Sequence, residues 1–156
     1  MKTSKTGIDL IKGFEGLRQN PYKLKGEQYY TVGYGHYGAD VIPDHFYSLA
    51  ECETLLIHDL YRFEQHVNKY VDIYDLNQNE FDALVSFAYN IGNIDKLTNY
   101  GKRKKDEIRT AWLLYCRGAD GKQLNGLKAR RVRELELFNT PTDDESSDEL
   151  YDYLHI

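Results

Sequence analysis

Cysteine is nearly absent: only Cys52 and Cys116 occur, far apart and at no metal or redox spacing. That excludes a disulfide scaffold and a thiolate metal site, and two free thiols are expected. Histidine is also sparse. His58 and His66 lie eight positions apart, His45 stands alone, and no second histidine sits at ligand spacing from His36, so no metal set forms. There is no apolar run of roughly 18 residues, and therefore no candidate for membrane insertion. Met1 to Lys5 lacks the apolar stretch of a secretory leader, so synthesis in a cytoplasm without a signal peptide is expected. Basic residues cluster only at Lys102-Arg103-Lys104-Lys105. Asp106-Glu107 follow at once and no aromatic residues interleave, so nucleic acid is not an expected partner.

Lys and Arg are missing altogether from the last stretch. Asp143, Asp144, Glu145, Asp148, Glu149 and Asp152 account for more than the whole net charge of −5 and leave the rest of the chain near +1. Polar and acidic after Pro141, residues 142–156 are expected to be a disordered tail, with residues 1–141 forming the domain. The full chain is 41% hydrophobic and 29% charged, enough for one real core without staples. Fourteen Tyr stand against six Phe and one Trp. Tyr stacks and also hydrogen-bonds, which serves a carbohydrate cleft and a half-buried core edge equally well.

Periodicity supplies the elements. Ile8, Ile11 and Phe14 predict a helix over Thr6 to Phe14, stopped by Gly16. Tyr29 to Tyr34 reads as a strand after a Lys25-Gly26-Glu27-Gln28 turn, and Tyr37 to Val41 as a third short strand before Pro43. Ser48 and Glu51 form a capping-box pair opening a long helix to about Val71, with Leu49, Cys52, Leu55, Leu56, Leu60, Phe63 and Val67 at helical spacing. Asn77 to Gly92 is the clearest helix, capped by Asn77 and Glu80 and striped with Phe81, Leu84, Val85, Ala88 and Ile91. A further helix runs through Ile108, Trp112 and Tyr115, Gly118 to Gly126 is a loop, and a last helix carries Leu127 to Phe138. The pattern gives an α+β protein. A small antiparallel sheet lobe, about 15–45, joins through the long helix to a mostly helical lobe, about 46–141.

Glu15 is the residue on which chemistry would turn. It stands at a helix C-terminus, the negative end of the macrodipole, between Phe14 and Leu17; both settings favour the neutral acid, the form a general acid needs. Along the following strand Thr31 and Gly33 share a face with Tyr29 and, if the strand reaches back, with Glu27, while Tyr30 and Tyr34 point away. Glycines at 33 and 35 leave backbone open to a flat ligand such as a sugar ring.

These residues carry a resemblance. Phe14-Glu15-Gly16-Leu17-Arg18, Tyr22 and Thr31-Val32-Gly33-Tyr34-Gly35-His36 resemble the signature of phage-type lysozymes, the endolysin muramidases of glycoside hydrolase family 24. Asn79 to Gly92 is similar to that family's second block, and Leu127, Arg130-Arg131, Glu134 and Leu137-Phe138 to its last helix, so the likeness spans residues 6 to 139. It implies a lysozyme-like fold and hydrolysis, with inversion, of the β-1,4 bond between N-acetylmuramic acid and N-acetylglucosamine. Glu15 would be the acid, and Thr31 would position the water. No cofactor is implied.

One position departs from the pattern. The family usually places an Asp two residues after its Tyr, where Leu24 stands here, and Gly26 lies five residues before Thr31 instead of three. Glu27 is the replacement candidate for the second carboxylate, and Asp40 the next. Without a replacement, activity would weaken, leaving a wall-binding module, or the muramyl hydroxyl would attack internally as in a lytic transglycosylase. Tyr29 and Gly33 are expected to bind substrate. Asn90 reaches the cleft by the resemblance, or else satisfies buried backbone groups. Asp59 is the expected carboxylate partner of His36, as a structural clamp. Arg130 or Arg131 would turn toward Glu15. The expected partners are peptidoglycan glycan strands and a membrane-permeabilising protein that releases the enzyme, as a monomer, from the host cytoplasm to the wall. A tail that docks on another protein is the remaining alternative.

Overall fold

A computed structural model describes residues 1–118 and 120–142 of the 156. The expected tail, apart from Thr142, lies outside the described residues. Six helices and a three-stranded antiparallel sheet are formed among them: α1 (Lys5–Glu15), β1 (Arg18–Tyr22), β2 (Tyr30–Gly33), β3 (His36–Gly38), α2 (Leu49–Asn68), α3 (Val71–Tyr74), α4 (Gln78–Ile91), α5 (Lys105–Trp112) and α6 (Asn125–Phe138). The architecture is the expected α+β one.

Helix α4 is the axle of the larger lobe. Every residue from Glu80 to Ala88 is buried, and α1, α2 and α6 pack around it. Its start is fixed by a complete capping box: Asn77 Oδ1 accepts from Glu80 N at 2.8 Å, and Asn77 N donates to Glu80 Oε1 at 3.0 Å. Helix α2 opens the same way at Ser48 and Glu51. Helix α1 has no such local signal. Its entry is held instead by Asp82 of α4, which accepts from Ser4 N at 3.0 Å and from the Ser4 hydroxyl. The two helices meet at Gly7, where a Cβ would lie 2.8 Å from Asp82 Cβ.

In the sheet, β2 is central. Thr31 pairs with Tyr37 on one side and with Tyr22 on the other. Between Arg18↔Gly33 and Tyr22↔Thr31 the register of β1 shifts, and Pro21 sits in this irregular edge strand, where a missing N–H is tolerated. Val32, Val41, Tyr47 and Cys52 form a small core that fastens the sheet to α2.

Several expected boundaries are corrected. The strand begins at Tyr30, so strand alternation does not extend to Glu27. The third strand ends at Gly38, because Val41 N turns back to Gly38 O at 3.3 Å. The long helix stops at Asn68 and a separate turn of helix, α3, follows. Helix α5 ends at Trp112 in tightened turns, with Leu114 N on Ala111 O and Tyr115 N on Trp112 O, so Tyr115 lies beyond it. Gly126 belongs to α6, whose start is set when Leu124 N bonds Cys116 O at 2.9 Å.

Candidate active site

Glu15 is the last residue of α1, and Gly16, at φ 71°, turns the chain into β1. Its side chain keeps 22% exposure at the edge of a cavity of about 390 Å³ lined by Glu15, Gly35, Tyr37, Asp59, Arg62, Phe63 and Tyr89. That volume is within the range of small-ligand pockets. Arg130 Nη1 donates to Glu15 Oε1 at 2.6 Å. The other oxygen, Oε2, faces Gly35: a Cβ built there would lie 3.8 Å from it and 3.8 Å from Tyr89 Oη. Gly35, at φ 92°, thus keeps the wall opposite the free carboxyl oxygen bare.

Of the two candidate arginines, Arg130 reaches Glu15 and Arg131 reaches Asn90, by Nη2 to Oδ1 at 2.9 Å. Both converge on Glu134, which is fully buried. Arg130 Nε lies 3.3 Å from Glu134 Oε2 and Arg131 Nε 2.7 Å from Oε1, while Ser86 Oγ donates at 2.6 Å and Trp112 Nε1 at 3.3 Å. Burial raises the pKa of the Glu134 carboxyl, opposed first by Arg131 and then by Ser86 and Arg130. The guanidinium of Arg131 also lies 4.7 Å from the Phe87 ring centre, and that of Arg130 5.4 Å from Phe14. Glu15, Arg130, Glu134, Arg131 and Asn90 thereby form one line of alternating charge ending in an amide.

On the sheet side, His36 is held at both nitrogens. Nδ1 lies 2.8 Å from Asp59 Oδ2, the partner expected from sequence, and Nε2 lies 2.9 Å from Asp40. Two carboxylate acceptors require two N–H donors, which only the imidazolium has. Burial opposes that charge, but Asp59 and then Asp40 outweigh it and raise the pKa of His36. Asp40, the second candidate for the missing carboxylate, is thus engaged by His36.

Thr31 lies in the middle of β2, nearly buried, paired with Tyr22. Glu27 sits in the turn before β2, and its carboxylate folds back so that Oε2 accepts from Leu24 N at 3.3 Å. A carboxylate is thereby brought to the backbone of position 24. Tyr29 packs its ring 5.5 Å from that of Tyr37 and donates its N–H to Tyr37 Oη at 3.2 Å. Tyr37, which sequence reasoning did not single out, is the one of the pair that lines the cavity. Gly33 is corrected: it is buried against Cys52, 3.4 Å from an added Cβ to Cys52 Cβ, and Gly35 takes the open position. Asn90 is exposed near the end of α4, with its Oδ1 on Arg131. Arg62, Phe63 and Tyr89 were also missed. Arg62 was within reach from sequence, since it lies one helical turn beyond Asp59 on α2.

Among the described residues, no group of three or more metal-ligating side chains occurs, and no helix is long and apolar enough to cross a membrane. A family model described as Phage lysozyme matches residues 12–134, which includes Glu15, the strand motif and both arginines. The chain belongs to the phage lysozyme family. Among its relatives, the endolysin of Bacillus phage PZA is 40% identical over 147 residues, 91% of this chain and 57% of that protein. The endolysin of Lactococcus phage c2 is 40% identical over 154 residues, 94% of this chain and 64% of that protein. The chain thus spans little more than half the length of these relatives. Of solved structures, the muramidase domain of SpmX from Asticaccaulis excentricus is 34% identical and superposes with a TM-score of 0.77, covering 90% of this chain and 99% of that one. The residues that the family model matches include Glu15, Leu24 and Thr31.

Proposed function

We propose that the chain is a peptidoglycan hydrolase of host lysis, cleaving the β-1,4 bond between N-acetylmuramic acid and N-acetylglucosamine. The observation that carries this is the placement of Glu15, with one carboxyl oxygen held by Arg130 and the other directed into a 390 Å³ cavity opposite a bare glycine. A carboxyl so oriented is suited to protonate a glycosidic oxygen lying along the sheet. Thr31 would orient the attacking water on the opposite side of the sugar, though its hydroxyl is a poor base. The base would be Glu27, whose carboxylate folds onto the Leu24 backbone, two residues past the Tyr22 partner of Thr31. Inversion needs roughly 6.5–9.5 Å between the two carboxyls, leaving room for the water. Residues 1–141 would act as one catalytic domain on glycan strands, as a monomer, after a membrane-permeabilising partner admits it to the wall.

The test is reducing-end release from purified peptidoglycan, with mass analysis of the products, for wild type, Glu15→Gln and Glu27→Gln. Hydrolysed muramyl ends that vanish in the Glu15 variant are expected, together with a large loss in the Glu27 variant. Anhydromuramyl ends would turn the reaction into lytic transglycosylation. Folded wild type that binds the wall and releases nothing would leave a binding module.

A further inference from the structure

The cavity beside Glu15 contains a charge that the protein leaves unused. Glu15 is occupied by Arg130, both oxygens of Asp59 lie against His36, Tyr37 Oη accepts from Tyr29 N, and Tyr89 Oη donates to Tyr34 O at 3.0 Å. Arg62 alone among the polar lining residues has no ion pair and no hydrogen bond among the described residues. At three positions after Asp59 on α2 it would ordinarily pair with that carboxylate. His36 has taken Asp59 away. The Arg62 guanidinium lies instead 4.6 Å from the centre of the Phe63 ring, a stacked setting that leaves its N–H edges free.

A planar guanidinium with free donors at the rim of a cleft is matched to a carboxylate, which it can take bidentately. N-acetylglucosamine has none. The muramyl sugar does, on its lactyl arm: the lactyl carboxylate itself when the arm is bare, or a carboxylate of the attached peptide. We propose that Arg62 is a specificity residue that pairs with a carboxylate on the muramyl arm and so sets which sugar lies beside Glu15. This rests on the hydrolase reading for its substrate, and it gives a role to an arginine that forms no ion pair or hydrogen bond among the described residues.

The test is equilibrium binding by calorimetry, made in the Glu15→Gln background so that nothing turns over, comparing Arg62 with Arg62→Gln and Arg62→Lys. Three soluble probes are used: an N-acetylglucosamine tetramer, a muramyl tetramer with bare lactyl arms, and the same tetramer bearing stem peptides. Arg62→Gln is expected to weaken a carboxylate-bearing probe about tenfold, the low end for a charge-assisted hydrogen bond. Its affinity for the neutral tetramer should not change. Arg62→Lys should keep the salt dependence and recover only part of the affinity. Loss confined to the bare-arm probe assigns the lactyl carboxylate, and loss confined to the stem-bearing probe assigns the peptide. Equal loss for the neutral tetramer, no loss for either muramyl probe, or no preference of the Arg62 protein for muramyl probes overturns the proposal. Wall digestion that yields no muramyl ends would remove the hydrolase reading and leave this binding result standing.

Discussion

Arg130 has three separate obligations, and their removal should be felt in each. It orients Glu15, bonds the buried Glu134 and closes the Ser86 carbonyl with Nη2 at 3.1 Å, while its own side chain is only 5% exposed. Replacing it with Gln leaves Glu134 short of a partner, and breaking a buried pair from one side costs about 3–5 kcal/mol. Urea unfolding of Arg130→Gln should show that loss, along with a fall in wall hydrolysis at temperatures where the variant is still folded. His36 gives a different signature. Because its folded pKa is raised, the clamp to Asp59 and Asp40 is complete below the unfolded value of about 6.5 and is lost as the pH rises through the folded value. Wild-type stability should therefore decline on the alkaline side of pH 6.5. Asp59→Asn should flatten that decline more than Asp40→Asn, since Asp40 is 63% exposed and Asp59 only 23%. His66 has the opposite sense. Burial lowers its pKa, and Nε2 accepts from Ile94 N at 2.9 Å, a bond that protonation removes.

At the level of elements, the contact of α1 with α4 at Gly7 is the least forgiving. Gly7→Ala would put a methyl 2.8 Å from Asp82 and 2.7 Å from Thr3, so one helix must shift. A cost of about 1–3 kcal/mol is expected, with a loss of hydrolysis out of proportion to it, because α1 ends at Glu15. Thermal melts and wall assays on the same sample would separate the two. This contact was not readable in the sequence, whereas the capping boxes at Ser48 and Asn77 were, and the difference is one of range. A cap is written within four residues. The entry of α1 depends on Asp82, which lies 78 positions from Ser4. The turn before β2 failed for a related reason: alternation places Glu27 on the face of Thr31 only inside a strand, and the strand begins at Tyr30. Gly33 and Gly35 look alike in sequence, yet Cys52 of α2 covers the first and leaves the second open. Glu15, His36 and one of the two arginines were legible because they stand in the motifs, and Asp59 because it stands on the linking helix, where a carboxylate can meet His36. Tyr37 and Tyr89 were not, since folding alone gathers them around one cavity, and Arg62 was readable only as a neighbour of Asp59 on α2.

Across the whole molecule, two cores of unequal size divide the work. The sheet rests on Val32, Val41, Tyr47 and Cys52, while the helical lobe buries twenty apolar residues, among those described, around α4. Amide hydrogen exchange should find the slowest protons in Leu84 to Ala88, opening only with global unfolding, and much faster ones in β1, whose edge is irregular. Local opening of the sheet lobe would then leave the carboxyl on α1 undisturbed. The line from Glu15 through Arg130, Glu134 and Arg131 to Asn90 is coupled more tightly, because each member bonds or ion-pairs with the next. Such a line should leave a mark in inheritance. A lineage that loses Glu134 strands two arginines at once, so each single step is penalised and only joint replacement is open. Among homologous sequences these five positions are expected to vary together or stay fixed together, and an alignment in which they drift independently would show that the line is not held as a unit.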